Sequence, residues 1–383
     1  MKVYLVGGAV RDAILQVPVQ DRDWVVLGAT PAMMVAQGYE ALDQTFPVFL
    51  HPETREEYAL ARRERKAGKG YRGFELEYDP GVTLEEDLMR RDLTMNALAQ
   101  DVETGELVDL FGGQADIEAG LLRHISPAFV DDPIRLLRIA RFAARFGQWG
   151  FHVAHGTHGL LKKMATAADL PTVVAERVWQ ETRRALAEPQ PQRYFQVLSR
   201  CGALPVCFPE WATWVQADGA HADAQIQPIQ ALTRCSQLST DPVVRFAAWC
   251  GCLSEVQVVE ACRRLTVAKP YQALAQRVVC CRARWMALAE VPSGQAVMDL
   301  LTALDAFRQP EGMPNFLMVM QALDAAAGLA DEVASSKAMA FAAQFQRALG
   351  VHARDVDLTG LQGAQIAEKI KQARLQALLD AKS

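Results

Sequence analysis

The sequence has no C-x-x-C pair, no His-Asp dipeptide, no polybasic run and no long apolar stretch. Each absence removes a class of protein. All eight cysteines lie between Cys201 and Cys281, at spacings that suit neither a zinc site nor a small secreted disulfide framework. They read as reduced, mostly buried thiols of a cytoplasmic protein. No segment approaches the ~20 uninterrupted apolar residues of a membrane-spanning helix, so no membrane span is expected. The apolar run from Val3 to Val10 is short and ends in Arg11-Asp12 without a small-residue cleavage site. It predicts a strand and a turn rather than a signal peptide. An excess of positive charge is also missing: 40 Lys and Arg stand against 45 Asp and Glu, a formal net charge of −5. A chain that binds nucleic acid over its whole surface is usually basic. Any such binding must therefore use clustered cations, and Arg does dominate a few short windows.

Half of the 383 residues are hydrophobic and 22% are charged, which suits a protein that buries a real core. The length suggests two to four domains at roughly 100–200 residues each. Residues 1–125 read as mixed α and β. Val3-Tyr4-Leu5-Val6 and Trp24-Val25-Val26-Leu27 are short apolar runs bounded by Gly, Asp and Pro, as buried strands are. Phe46–Leu50 and Tyr58–Ala61 are further strand candidates. Charges together with Gly68, Gly70 and Gly73 predict a mobile loop over 64–81. Residues 131–200 turn helical, and about 200–383, rich in Ala, Leu and Gln, read as a helical bundle or array. The fold class is α+β, a small sheet domain followed by helices.

Three windows carry candidate chemistry. Gly7-Gly8-Ala9-Val10-Arg11-Asp12 is followed by Asp21-Arg22-Asp23. Glycines let a backbone approach a phosphate closely. An Asp-x-Asp on a strand turns both carboxylates to one side, where they repel unless a cation lies between them. Mg²⁺ fits, because it takes oxygen ligands and brings a triphosphate with it. The plainer reading is an Asp-rich surface turn. In Arg90-Arg91-Asp92-Leu93-Thr94-Met95-Asn96, Arg could grip phosphate while Asp and Asn fix a ribose or orient the Arg. The plainer reading is an amphipathic helix capped near Asp92. In the third window Asp132, Arg135, Arg138 and Arg141 recur every three residues, on one slowly drifting helix face, with Pro133 in the first turn. A salt-bridged surface stripe competes, yet the interleaved Ile134, Leu137 and Ile139 predict a half-buried helix whose Arg row lines something.

Together, and in this order, the windows resemble the class II tRNA nucleotidyltransferases, in particular bacterial CCA-adding enzymes. The resemblance runs from Met1 to about Phe208 and includes Asp109, Gly113, Asp116 and Glu176-Arg177-Val178-Trp179. The family's Glu-Asp-x-x-Arg reads Asp131-Asp132-x-x-Arg135 here. The resemblance implies a polymerase β-like nucleotidyltransferase head over 1–125, an all-α neck over 126–200 and a tRNA-supporting body and tail over 201–383. It implies catalysis by Asp21 and Asp23 with two Mg²⁺ ions. The nucleotide, ATP or CTP, would meet Gly8, Arg11, Arg91, Asp132, Arg135, Arg138 and Arg141. Asp132 and Arg135 would read the base, and Glu57 is a candidate third carboxylate. The segment Glu64–Phe74 is similar to the family's flexible element, which implies addition of A as well as C. The partner would be tRNA. Many relatives carry a metal-dependent phosphohydrolase domain marked by His-Asp; none of the seven His here precedes an Asp, and the ligands are absent near Val244–Leu253, where such a motif would be expected. Cys250 and Cys252 read as core. The competing readings are a poly(A) polymerase, a non-catalytic RNA-binding protein and, more remotely, a small-molecule nucleotidyltransferase.

Overall fold

The computed structural model describes residues 1–42, 47–66, 74–167, 170–215, 227–288 and 293–380. The chain divides into two units, Met1–Glu181 with Cys201–Cys207 and Thr182–Arg200 with Phe208–Ser383.

The first unit begins with β1 (Lys2–Val6), α1 (Gly8–Ile14), β2 (Asp23–Leu27), α2 (Pro31–Ala36), β3 (Glu40–Ala41), β4 (Val48–Leu50) and β5 (Glu57–Leu60). It continues with β6 (Arg63–Lys66), β7 (Phe74–Glu77), α3 (Leu84–Met89), β8 (Leu98–Asp101), β9 (Leu107–Asp109), α4 (Gly113–Glu118) and β10 (Leu121–Leu122). Among the described residues, seven strands form one mixed sheet in the order β3-β4-β5-β2-β1-β8-β9. Alternation along the strands fills both faces. Tyr4, Val6, Val25, Ala97 and Ala99 bury one face with Leu88 of α3, and Val26, Phe49 and Leu60 bury the other with Met34 of α2. A strand buried on both faces is apolar throughout, which is why Trp24–Leu27 is legible as a strand.

Two expectations fail. The mobile loop over 64–81 contains, at its two ends, the antiparallel hairpin β6–β7, in register Arg63↔Glu77; residues 67–73, with Gly68, Gly70 and Gly73, lie outside the described residues, as does Phe46. No helix starts at Asp92. Instead α3 has already ended at Met89, Thr94–Asn96 make a single 3₁₀ turn, and β8 follows. That turn is held from outside. Asp116 accepts from Thr94 Oγ1 at 2.6 Å, and Asp109 receives the backbone N–H groups of Gly113 and Gln114 at 2.8 and 2.9 Å. A Cβ on Gly113 would stand 2.5 Å from the Thr94 carbonyl oxygen, so only Gly lets α4 approach so closely. Asp109, Gly113 and Asp116 are thus explained as supports of the segment that carries Asp92 and Asn96.

The unit continues with α5 (Ile134–Phe146), β11 (His152–Val153), α6 (His155–Thr166) and the start of α7 (Ala175–Ala187); the division between units falls within α7. Beyond it come α8 (Gln192–Arg200), α9 (Leu204–Cys207) and α10 (Ala212–Val215), then α11 (Gln227–Leu238), α12 (Pro242–Cys250), α13 (Glu255–Arg264) and α14 (Lys269–Met286). The chain finishes with α15 (Gly294–Ala303), α16 (Met313–Ala326), α17 (Asp331–Leu349) and α18 (Ala364–Leu379). A sheet-bearing N-terminal part followed by helices is the α+β order expected. In the second unit Trp249 stacks on Trp211 at 3.8 Å and on Phe195 at 4.0 Å, all three fully buried. Among the described residues no cysteine forms a disulfide, and burial pushes the Cys252 thiol up to about 12. Among the described residues no helix is long and apolar enough to cross a membrane.

Candidate active site

The turn after β1 brings the first window to the end of the sheet. Gly7 has φ +70°, a conformation that side chains with a Cβ rarely adopt. A Cβ there would also lie 2.8 Å from Arg91 Nη1, which places the Arg91 guanidinium directly against the turn. Val6 pairs with Asp23 across β1 and β2, which puts the Gly7-Gly8 turn and the Asp-x-Asp at the same end.

Asp23 opens β2 and Asp21 lies in the loop just before it; both are exposed. Asp23 shares its face with Val25, the face covered by α3. Neither carboxylate has a side-chain partner among the described residues. Glu57 stands directly beside Asp23 in the parallel β2–β5 pair. Among the described residues no three His, Cys, Asp or Glu side chains converge to hold a metal ion. Two exposed, unpaired carboxylates nonetheless fit Mg²⁺, which keeps several waters and takes other oxygens from substrate phosphates.

Arg91 sits under the turn. One donor, Nη2, reaches Asp87 at 3.2 Å, while its Nε is buried without a partner. A guanidinium with unused donors beside a glycine turn suits a phosphate oxygen. Arg11 is different. It is 4% exposed and donates to Asp12 at 2.8 Å and Asn96 at 2.5 Å, stacked over Phe146 at 4.9 Å. Burial lowers its pKa, opposed mainly by Asp12. Asp92 accepts from Leu93 N, Asn96 and Arg138, each at 2.8–2.9 Å. Burial pushes the Asp92 carboxyl up, but Arg138 and these hydrogen bonds outweigh it and hold the group at about 2.

Residues 3–123 match the poly A polymerase head domain, and residues 150–215 match a probable RNA and SrmB binding site of polymerase A. The chain is 44% identical over 412 residues to the multifunctional CCA protein of Thioalkalivibrio sulfidiphilus, covering 100% of this chain and 99% of the relative. The chain belongs to the bacterial CCA-adding enzyme family. The multifunctional CCA protein of Nitrosococcus oceani is also 44% identical, over 409 residues, with 100% of this chain and 98% of that one covered. Among solved structures, a CCA-adding enzyme in complex with ATP superposes with a TM-score of 0.71 at 21% identity, over 98% of this chain and 87% of the other. That likeness extends the agreement in fold to both units.

The family's third window, on α5, separates by function. Steps of three residues rotate the helix face by about 60° each time, so Arg135 and Arg141 point about 120° apart. Arg135 Nη2 donates to the Arg90 carbonyl at 2.6 Å and Nη1 to the Ala128 carbonyl at 3.2 Å. Arg138 reaches Asp92. Arg141 is 8% exposed and donates to Glu181 at 2.7 Å on α7. Asp132 Oδ1 accepts from Ile134 N at 3.2 Å, and its Oδ2 lies 3.6 Å from Arg177 Nη2. Of the expected nucleotide residues, then, Gly8, Arg91, Asp132, Arg135 and Arg138 are half-buried, and Arg11 and Arg141 are interior.

Sequence reasoning passed over Asp87, Arg145 and Glu181. Arg145 donates to Asp12 at 3.2 Å and so closes the ring around Arg11. Asp87 stands three and four residues before Arg90 and Arg91, a helical spacing that marks it as their partner. Glu181 lies forty residues from its partner Arg141, so no short-range spacing marked it.

Proposed function

We propose that this chain adds two CMP and one AMP to the 3′ end of tRNA, from CTP and ATP, with release of pyrophosphate. The observation that carries the reading is identity along the entire length with CCA proteins, with the glycine turn, paired carboxylates and Arg91 meeting at one sheet end. The reaction maintains and repairs tRNA ends. Head 1–125, neck 126–200 and body 201–383 form our working division, and the mostly buried cysteines, none of them in a disulfide among the described residues, support a cytoplasmic setting.

Asp21 and Asp23 would hold Mg²⁺. When bound, the metal supplies activation of the 3′-hydroxyl and charge neutralisation on the triphosphate. The remaining work belongs to side chains. The Gly7-Gly8 turn and Arg91 bind phosphate. Asp132 accepts a hydrogen bond from the exocyclic amine of C or A, and Arg135 donates to the neighbouring ring nitrogen. U and G present a carbonyl where C and A present the amine, so Asp132 repels them. Asp92, buried and kept ionised by Arg138, orients Asn96 and Arg138, and Arg11 and Arg141 hold the first and third windows in place from within.

The test is incubation of the protein with tRNA lacking CCA, with CTP, ATP, UTP and GTP offered singly and together. Three added nucleotides, C, C and A, are expected. A long A tract would establish a poly(A) polymerase instead, and no incorporation with Mg²⁺ would establish an RNA-binding protein.

The helical unit is proposed to lack phosphohydrolase activity. The window Val244–Leu253 holds no His or Asp that could serve as a metal ligand. Cys250 is fully buried. The full chain should release no phosphate from 2′,3′-cyclic nucleotides or 2′-nucleotides with nickel or magnesium. Nickel-stimulated hydrolysis that follows the protein through every purification step would overturn this.

A further inference from the structure

Arg135 is held by main-chain acceptors alone. Two of its donors go to carbonyl oxygens, of Arg90 and Ala128, and its guanidinium lies 6.0 Å from the Phe129 ring centroid. An arginine has five N–H donors, so an outward set remains for a base. What aims Arg135 is therefore whatever fixes those carbonyls.

Arg90 is the C-cap of α3, with φ −76° and ψ −9°. The last carbonyls of a helix have no partner within it, and the negative end of the helix dipole favours a cation. Arg135 occupies that position. The Arg90 side chain is in turn clamped at all three nitrogens. Nε and Nη2 donate to Asp87 Oδ1 at 3.0 and 2.7 Å, and Nη1 donates to Glu64 Oε1 at 2.8 Å. Asp87 is fully buried; it also takes the Arg62 N–H at 3.3 Å, and with its other oxygen Arg91 at 3.2 Å. One carboxylate thus fixes two consecutive arginines. Arg91 runs beneath the glycine turn, and Arg90 offers its carbonyl to Arg135.

We propose that Arg90, clamped by Asp87 and Glu64, is a positioning residue that sets base specificity by aiming Arg135. The inference rests on the reading of Arg135 as a base reader. Hydrogen-bond strength falls steeply with angle and distance. A clamp that moves the guanidinium by a fraction of an ångström therefore changes discrimination between bases more than it changes phosphate binding. Glu64 lies on β6, so the hairpin β6–β7 is mechanically tied to the same clamp.

The experiment measures kcat/KM for CTP and UTP on tRNA ending before CCA. It uses the full chain carrying Arg90→Met, Arg90→Lys or Glu64→Gln, each with and without Arg135→Ala. Arg90→Met should lower the CTP/UTP ratio about tenfold, with Arg90→Lys recovering part of the loss and Glu64→Gln falling between. In the Arg135→Ala background none of the three should lower the ratio further, because the group they aim is gone. The proposal is overturned if Arg135→Ala lowers the ratio but the clamp variants slow CTP and UTP equally. If Arg135→Ala leaves the ratio unchanged, base reading by Arg135 itself fails and the proposal falls with it. Should Arg90→Met not fold, as judged by its thermal transition, the isosteric Glu64→Gln decides the question alone.

Discussion

Asp21→Ala and Asp23→Ala are each expected to lower CMP incorporation by about three powers of ten or more, while the protein stays folded. The two halves of this prediction have separate causes. Activity is lost because each carboxylate would be one of only two protein groups holding the metal, and the rest of the coordination comes from water and substrate. Stability is retained because both side chains are exposed and have no partner among the described residues. Surface substitutions away from caps and ion pairs usually change stability by no more than about 0.5 kcal/mol. Removing one of two neighbouring negative charges even relieves a repulsion when metal is absent. Labelled CTP incorporation with Mg²⁺, paired with thermal unfolding with and without EDTA, checks both halves. Near-normal incorporation by either variant would refute the assigned role. Glu57→Gln belongs in the same series: a loss comparable to Asp23→Ala would add Glu57 to the metal ligands, as its place beside Asp23 on β5 suggests.

The second large effect concerns base choice at Asp132. Asp132→Ala should lower the CTP/UTP ratio by one to two powers of ten, since a charge-assisted hydrogen bond is worth about 1.5–3 kcal/mol. The structure adds a complication, because Asp132 Oδ1 also accepts from the Ile134 backbone N–H at the start of α5. Loss of such a cap costs about 0.5–2 kcal/mol of stability, so alanine removes two things at once. Asp132→Asn separates them. Its amide oxygen retains the cap, and its NH₂ turns an acceptor into a donor toward the base. A donor there suits the carbonyl of U or G. Asparagine should therefore lower the CTP/UTP ratio at least as far as alanine while melting closer to the parent. Measuring both ratios and both melting midpoints is sufficient. A uniformly slower enzyme with an unchanged ratio would return Asp132 to a purely structural role. Against the plainer alternative, an Asp131–Arg135 ion pair, Arg135 donates to the carbonyls of Arg90 and Ala128.

Several features were determined by the sequence alone, because each is a short-range pattern with one physical cause. The apolar runs of β1 and β2 identify strands buried on both faces. Gly7-Gly8 marks the turn after β1, and the three-residue recurrence of Arg with Pro133 and interleaved aliphatics identifies α5. The order of the windows pointed to the family. The hairpin β6–β7 was not legible: Arg63-Glu64-Arg65-Lys66 shows no apolar alternation, and its strand exists because of pairing with residues 74–77. The 3₁₀ turn at Thr94–Asn96 was hidden for a related reason. Asp116 and Gly113, about twenty residues later in the chain, hold it in shape. The roles within the arginine row were likewise decided only by the tertiary structure. Three arginines that look equivalent in sequence meet three different surroundings: Arg135 finds the end of α3, Arg138 finds Asp92 and Arg141 finds Glu181, while Asp132, just before them, accepts from Ile134 N near Arg177. Spacing fixes which direction each side chain leaves a helix. What a guanidinium finds in that direction depends on segments tens of residues away, and its charge can be buried only where one of them supplies a carboxylate or a row of carbonyls.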